Sequence, residues 1–382
     1  MADTLPTDLP ALDFVPDRPM GWAPGLARDV TVWPWGTNPP GGFRRAAGAF
    51  DADGRHLPGS HCWRYADSPV TVIPERDPDV QPQDHLTGRW LFGGLYYAHF
   101  GHFLVETTSR LWALEQSGPV AGILFFPKKK LTHEFKLVRQ YLPFFAALGL
   151  GELVLRAPQV PVTVEELVMP EPGFGIGEMS AGRPEYRAFM RNRLGNAAEP
   201  AGERDIYVSR TGLSGRRGTV VMESRIEDLM AAAGYHIFHP QGHSVVEQIA
   251  QYKAARRIVA LDGSGLHLAA MVVDPATEIA IINRAPSMNI DDYVLQFRHF
   301  AGIDPVTIQA IKGCWSPEGQ RFVKREAQAH IDFPTLGAAL AAAGFIRDDD
   351  GWVDPPMDQI ETRLTQLSES FGAPMAYRDL TA

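Results

Sequence analysis

The 382-residue sequence lacks most features that would assign it to a specialised class of protein. Its two cysteines, Cys62 and Cys314, have no CxxC partner, which argues against a disulfide framework and suggests a reducing compartment. No apolar run approaches the roughly 18 residues that a membrane span requires. The first residues lack the basic and apolar regions of a secretory signal. We therefore expect a cytoplasmic protein without a transmembrane segment.

Positive charge is also scarce. The chain has 36 lysine and arginine residues against 45 aspartate and glutamate residues, which gives a formal net charge of −9. Binding to the phosphate backbone of a nucleic acid depends on a basic surface, so we expect no nucleic-acid partner. The length leaves room for two domains. Nothing in the composition decides between a monomer and an oligomer.

Residues 1–200 form the first predicted domain. Residues 1–90 hold 13 of the 31 prolines, so short strands among loops are predicted there. Periodicity and apolar runs predict the elements that follow: a helix at 99–117, a buried strand at 120–126, a helix at 132–148 capped by Thr132, strands at 153–156 and 160–169, and a helix at 184–194.

The polar segment Asn196–Glu203 is predicted to link this domain to a second one, at 203–330. Beyond it, strands alternate with helices, which predicts a parallel sheet covered on both faces. The predicted strands lie at 205–209, 235–238, 257–261 and 278–282, and the predicted helices at 223–233, 245–255, 265–272 and 290–300. Residues 331–382 are predicted to form helices, with a frayed tail, that pack back over the interdomain region. The expected fold is α/β, with two domains facing across a ligand-binding cleft.

Four ionisable residues share one face of the predicted helix 99–117, namely His99, His102, Glu106 and Arg110. Such a face can be solvated, with i,i+4 pairs that only support the helix. It can also line a cleft, where Glu106 or His102 would act as a general base. A metal site is less favoured, because the chain has no HExxH pattern and no third cluster at ligand spacing.

The segment Asp262-Gly263-Ser264-Gly265 follows an apolar strand and opens a short helix. Its glycines would let a ligand approach the backbone, and a helix N-terminus presents unpaired amides to an anion. The dinucleotide fingerprint GxGxxG is absent, and the turn could be only a tight connection between strand and helix. Its position at the carboxyl end of a parallel strand favours a binding role.

Three arginines precede this turn in the sequence: Arg210 at a strand end, and Arg216 and Arg217 in the loop that follows. Surface arginines can serve solubility alone, but guanidinium groups beside a helix N-terminus are suited to phosphate. Ser244 and Glu247 fit a capping box; alternatively, Glu247 accepts a hydrogen bond from a ribose hydroxyl. Together these residues predict a nucleotide or nucleotide-sugar site.

These motifs, in this order, resemble glycosyltransferase family 61, which includes bacterial capsular-polysaccharide transferases and eukaryotic xylosyl- and N-acetylglucosaminyltransferases. The matching segments are Tyr97-Ala-His99-Phe-Gly-His102-Phe-Leu-Val-Glu106, Arg110-Leu111, Ile206-Tyr-Val-Ser-Arg210, Arg216-Arg217, Glu223, Val246-Glu-Gln-Ile249 and Val259-Ala-Leu-Asp-Gly-Ser-Gly-Leu266. The chain departs from the family at Asp262, where the family usually has histidine, and at Met222, where it often has asparagine.

The resemblance implies a GT-B fold of two Rossmann-like domains and an inverting glycosyltransferase of the kind used in polysaccharide biosynthesis. We expect a metal-independent reaction without a cofactor, between a nucleotide sugar (a UDP-sugar) and a hydroxyl of a glycan or other acceptor. The N-terminal domain would hold the acceptor and the C-terminal domain the donor.

Site roles follow from this expectation. The predicted catalytic residues are Glu106 as base, His102 as the alternative base and Asp262 as a cleft partner. The predicted donor-binding residues are Arg210, Arg216, Arg217, Glu247, Gly263, Ser264 and Gly265, and the acceptor-side residues are His99 and Arg110. One alternative, favoured by Asp262, is a degenerate protein that binds nucleotide sugar or glycan without turnover. Another is a different Rossmann-type enzyme, such as a methyltransferase or an epimerase.

Overall fold

The computed structural model describes residues 25–38, 44–66, 68–129, 133–214, 217–285, 289–320 and 327–380. The chain divides into two compact units, Met1–Ala197 and Ala198–Ala382. The segment Asn196–Glu203, predicted as the linker, contains this division. The predicted cap Thr132 lies outside the described residues.

The first unit is built on a sheet with the order β3-β1-β10-β7-β8-β9. Its strands are β1 (Gly25–Trp33), β2 (Arg45–Ala46), β3 (Gly48–Phe50), β4 (Trp63–Tyr65), β5 (Ser68–Pro69), β6 (Thr71–Val72), β7 (His85–Tyr96), β8 (Gly122–Pro127), β9 (Val154–Arg156) and β10 (Val162–Met169). Its α-helices are α1 (Phe100–His102), α2 (Phe135–Val138), α3 (Leu142–Ala147) and α4 (Pro184–Gly195).

This sheet is mixed. Strands β10, β7, β8 and β9 run parallel, whereas β1 pairs antiparallel with both β10 and β3. Strand β8 is buried along its whole length, which confirms the buried parallel strand predicted from its apolar run. Gly122 at its start is required by close packing, because a Cβ there would clash with the carbonyl oxygen of Val154.

The single helix predicted over 99–117 is wrong. The chain forms α1, then a π-helix over Phe103–Thr107, and then a 3₁₀ helix over Leu111–Glu115. Side-chain hydroxyls take backbone carbonyl oxygens here: Thr108 Oγ1 donates to Leu104 O (2.6 Å) and Ser109 Oγ to Glu106 O (2.7 Å). Such local bonds compete with the regular helical pattern.

The helix predicted over 132–148 is also interrupted. A 3₁₀ turn at Arg139–Tyr141 separates α2 from α3. Pro143 stands in the first turn of α3, a position that proline tolerates, whereas its ring would clash inside a continuous helix. The proline therefore explains why the segment starts a new helix.

The second unit contains a parallel sheet with the order β12-β11-β13-β14-β15. Its elements are β11 (Asp205–Val208), α5 (Glu223–Ala232), β12 (His236–Phe238), α6 (Val245–Ala254), β13 (Arg257–Leu261), α7 (Gly265–Val272), β14 (Glu278–Ile282), α8 (Asn289–Ala301), β15 (Val306–Ile308), β16 (Ile311–Pro317), β17 (Gln328–Ile331), α9 (Phe333–Ala342), α10 (Met357–Phe371) and β18 (Met375–Asp379).

The prediction of alternating strands and helices is confirmed here, and the bounds of β13, α7 and β14 agree to the residue. Side chains of β11, β13 and β14 such as Tyr207, Val259 and Ile282 are buried in one core with Phe333 and Leu336 of α9. The frayed tail predicted at the C-terminus is wrong, because β18 pairs antiparallel with β16.

Two further expectations can be compared with the structure. Cys62 and Cys314 are both unpaired and buried, and burial raises the pKa of the Cys62 thiol to about 11. Among the helices of the described residues, none is long and apolar enough to cross a membrane.

Candidate active site

The π-helix of the first unit brings two of the predicted catalytic residues together. Glu106 Oε2 contacts His102 Nδ1, so the predicted His102–Glu106 pair is present. The Glu106 side chain is only 5% exposed, whereas the His102 side chain is 34% exposed. Solvent therefore reaches the imidazole more readily than the carboxylate.

Rings beside this pair hold the imidazole in place. The His102 ring stacks on Tyr97, with centroids 5.1 Å apart and planes 25° apart. His99, the predicted acceptor-side residue, meets His102 edge-to-face at 5.4 Å. Thr107 ties the π-helix to the end of β7, because its hydroxyl accepts from the Tyr97 amide and donates to Leu95 O. The pair is thus fixed against the sheet.

Two cations near Glu106 were not predicted from the sequence. Arg64 Nη2 lies 3.6 Å from Glu106 Oε1; although burial opposes the charged form, the Glu106 carboxylate raises the pKa of this guanidinium. Lys128 stands 5.6 Å over the Tyr97 ring, and burial together with the charge of Arg64 lowers its pKa. The phenol of Tyr97 has a pKa raised by burial and by Glu106.

Arg110 does not pair with Glu106 as the sequence predicted. Its guanidinium is buried and donates to the carbonyl oxygens of Gly59 (2.9 Å), Pro170 (2.6 Å) and His61 (2.5 Å). The irregular helix removes the spacing on which the predicted i,i+4 pair depended. Arg110 instead joins three backbone segments. Arg64 lies beside the Glu106 carboxylate, where Arg110 was predicted.

The second unit brings several of its predicted residues together where the strand order reverses. The chain passes from β11 to β12 on one side, while β13 lies on the other side of β11. In open parallel sheets ligands bind outside the carboxyl ends of the strands at such a point. Arg210 follows β11, and Asp262–Gly265 follows β13.

Arg210 lies against the glycine turn, as predicted. A Cβ on Gly263 would be 2.7 Å from Arg210 Nη1, so the glycine leaves room for the guanidinium in this position. Its Nη2 donates to the carbonyl oxygens of Arg217 (3.2 Å) and Gly218 (3.1 Å). Ser264 and Gly265 are partly exposed at the start of α7, where helix amides face outward.

Glu223, the first residue of α5, binds both ends of the loop between Arg210 and Thr219. Its Oε1 accepts from the Arg210 amide at 2.7 Å, and its Oε2 accepts from the Thr219 hydroxyl. Glu223 is 2% exposed, and burial raises its pKa although these donors oppose the rise. The sequence marked it only through the family resemblance.

A cavity of about 300 Å³ opens beside Arg210 and Arg217. Its walls come from the loop after β11, the N-terminus of α5 and the helix α10, which the sequence had not connected with the site. Hydroxyl groups of Thr211, Ser214, Thr219 and Ser224 are among the lining side chains. Arg216 lies outside the described residues.

Two predicted site residues have structural partners. Asp262 is 0% exposed, and its Oδ1 lies 3.3 Å from Nε of the buried Arg284. Glu247 and Ser244 form the predicted capping box at the start of α6, and the Ser244 bonds lower the pKa of the Glu247 carboxyl. Asp262 therefore joins the residues that follow β13 to those that follow β14, and Glu247 stabilises the start of α6. A ligand-binding role for either residue stays a prediction.

Within the described residues, no group of three or more histidine, cysteine, aspartate or glutamate side chains is placed to hold a metal ion. The arrangement defines an α/β protein with an arginine-lined cavity beside the parallel sheet of its second unit and an imidazole–carboxylate pair in its first unit. Residues 100–280 match the family described as Glycosyltransferase 61. This match confirms the resemblance to glycosyltransferase family 61 for this part of the chain. Among curated proteins no match is found.

Proposed function

We propose that the protein is a metal-independent inverting glycosyltransferase that moves a sugar from a UDP-sugar to a hydroxyl group of a glycan or other acceptor. The family match supports glycosyl transfer. The two units would be the domains of a GT-B fold, with the acceptor held by the N-terminal unit and the donor by the C-terminal unit. The unpaired cysteines Cys62 and Cys314 favour action in the cytoplasm.

The observation that carries the proposal is the Arg210 guanidinium packed against Gly263 beside the 300 Å³ cavity. A nucleoside diphosphate leaves with its negative charge concentrated on the terminal phosphate. Arg210, Arg217 and the amides at the start of α7 would stabilise that charge, which is the usual way a protein favours such a leaving group.

The acceptor must lose a proton as its oxygen attacks the anomeric carbon. We assign this proton to His102 Nε2, because Nδ1 is engaged by Glu106 and the ring is the more exposed member of the pair. The bond from the anomeric carbon to the diphosphate oxygen breaks as the new bond forms, and its electron pair leaves with the diphosphate. One displacement inverts the anomeric configuration.

The first test is a thermal-shift screen with UDP, GDP, CDP and CMP derivatives, followed by an assay of UDP release. A ligand at 100 times its Kd stabilises the folded state by about 2.7 kcal/mol. Release of UDP that depends on an acceptor supports transfer. Binding without turnover would instead favour the alternative of a degenerate binding protein. The family match argues against the methyltransferase and epimerase alternatives.

Replacing Arg210 with alanine tests the donor site. We expect UDP affinity to fall by roughly 1.5–3 kcal/mol, because a charge-assisted hydrogen bond is lost. Isothermal titration calorimetry measures this change. Arg347→Ala, which removes an exposed guanidinium elsewhere in the unit, is the control. Equal UDP affinity in the Arg210 and Arg347 variants would refute the assignment.

A further inference from the structure

We propose that α10 supplies a further diphosphate-binding residue, Arg363, so that the donor site extends to the C-terminal part of the chain. The inference rests on the proposed function. Arg363 lies 83 residues beyond position 280, where the family match ends. The inference assigns a ligand-binding role to α10, for which neither the family match nor the sequence motifs indicated a role.

Helix α10 is anchored beside the cavity. Ile360 and Leu367 are its buried residues, and Ile360 packs with Val221 and Trp315. Val221 is itself part of the cavity wall, and its amide donates to the carbonyl oxygen of Ala329 in β17 at 3.0 Å. The helix, the wall and the small antiparallel sheet thus pack as one body.

Arg363 occupies the face of α10 that these contacts turn inward. It comes three residues after Ile360 and four before Leu367, so all three lie on one side of the helix. Its side chain lines the cavity together with Gln366. Arg363 Nη1 donates to Gln366 Oε1 at 3.0 Å, which orients the guanidinium. Since a guanidinium carries five N–H donors, the others remain for a ligand.

The other lining residues indicate the chemistry of that ligand. Arg210 and Arg217 line the cavity, and the N-terminus of α5 reaches it at Ser224. The carboxylate in the wall, Glu223, is already engaged by the Arg210 amide and the Thr219 hydroxyl.

Across the ranges that the structure describes, no ion pair links Arg217 or Arg363 to a carboxylate. Three guanidinium groups around one cavity repel one another, and a polyanion removes that repulsion. A diphosphate suits both the charge and a volume at the lower end of small-molecule sites.

The test uses the full-length chain and inorganic pyrophosphate, with UDP titrated in parallel. Arg363→Gln keeps most of the side-chain stem and removes the charge, and Arg347→Gln is the matched control at an exposed site of the same unit. We expect Arg363→Gln to raise the Kd for pyrophosphate roughly tenfold to a hundredfold, as loss of a charge-assisted contact does. Arg347→Gln should leave it unchanged.

The melting temperature of the free protein separates binding from stability. It should be the same in both variants, because Arg363 is only partly buried and Ile360 and Leu367 still anchor the helix. Arg363→Lys provides a second variant and should recover part of the affinity, since an ammonium keeps the charge but not the planar donor pair.

Two results separate this inference from the proposed function. If pyrophosphate binding depends on Arg363 but no UDP-sugar is turned over, the site stands and the proposed function falls. If sugar transfer occurs while Arg363→Gln matches Arg347→Gln in pyrophosphate affinity and in KM for the UDP-sugar, the inference is overturned and the function stands. A wild-type chain that binds neither pyrophosphate nor UDP overturns the inference as well.

Discussion

At the scale of single residues, the candidate catalytic group is a pair whose members differ in access. Glu106 is enclosed between Arg64 and His102, whereas His102 reaches solvent. A carboxylate that binds one imidazole nitrogen orients the ring and leaves the other nitrogen to exchange protons, as in many sites that transfer protons. The geometry therefore favours the alternative base named from the sequence over the first choice, Glu106.

Replacing His102 with alanine should lower the transfer rate by about 10²–10⁴-fold, the usual contribution of general-base catalysis. Added imidazole should restore part of the rate, because it can occupy the vacated space and accept the proton. His133→Ala, at an exposed position of the same unit, is the control. A His102→Ala enzyme that keeps its rate while Glu106→Gln loses it would make Glu106 the base.

The contact between His102 and Glu106 could be predicted from the sequence, but the positions of Arg64 and Arg110 could not. The four-residue spacing of His102 and Glu106 is visible in the chain, so their contact could be predicted. Arg64 reaches Glu106 across 42 positions, from a short strand in a proline-rich region without periodicity. Arg110 resembled a cleft residue because sequence spacing does not reveal that backbone carbonyls enclose its guanidinium.

At the scale of elements, prediction succeeded where local pattern and tertiary environment agree. Strand β13 and helix α7 are short, apolar and bounded by clear turn residues, and their bounds were predicted to the residue. Strands β16 and β18 were not predicted, because their antiparallel pairing joins residues some 60 positions apart and β18 follows a long amphipathic helix. Pairing of this kind depends on contacts that no local window contains.

The turn between β13 and α7 offers a prediction at this scale. Gly263→Ala would place a methyl group 2.7 Å from Arg210 Nη1, and the flexible arginine would have to move. We expect weaker UDP binding, at most by the roughly 1.5–3 kcal/mol assigned to the Arg210 contact, with little change in melting temperature.

Calorimetry on two further variants checks this mechanism. Gly242→Ala has open space around its new methyl group and should bind UDP like the wild type. In an Arg210→Ala background, Gly263→Ala should cause no further loss, since the group it displaces is gone. An additional loss of the same size in that background would contradict the explanation.

At the scale of the whole molecule, the alternation of strands and helices predicted an α/β protein, and the structure contains both a parallel and a mixed sheet. The antiparallel strands β1 and β3 come from the proline-rich lead-in, where no pattern indicated their place in the sheet. This region also contains a half-buried histidine pair, His56 and His61, with ring centroids 4.8 Å apart.

Burial, together with the neighbouring His61, lowers the pKa of His56 from 6.5 to about 4. Between these two values the unfolded chain binds a proton that the folded chain does not. The contribution of a neutral His56 to stability is therefore fully present above about pH 6.5 and is lost as the pH falls towards 4. Urea unfolding midpoints measured across this window should fall in the wild type and fall less in His56→Gln. His133→Gln, at an exposed site, should follow the wild type; equal slopes in all three proteins would contradict the assignment.

The π-helix over Phe103–Thr107 makes the His102–Glu106 pair sensitive to residue count as well as residue type. In an α-helix each residue turns the chain by about 100°, and a π-helix arises where one extra residue is accommodated without resetting the flanking turns. Here the bond from the Thr108 amide to Phe103 O spans five residues. Deleting one residue between His102 and Glu106 would turn the π-helix into a regular helical turn and change the spacing of the pair from four residues to three, so the carboxylate would meet the imidazole in a different relative orientation. The number of residues in this turn therefore determines how the imidazole and the carboxylate meet, as the identities of histidine and glutamate do.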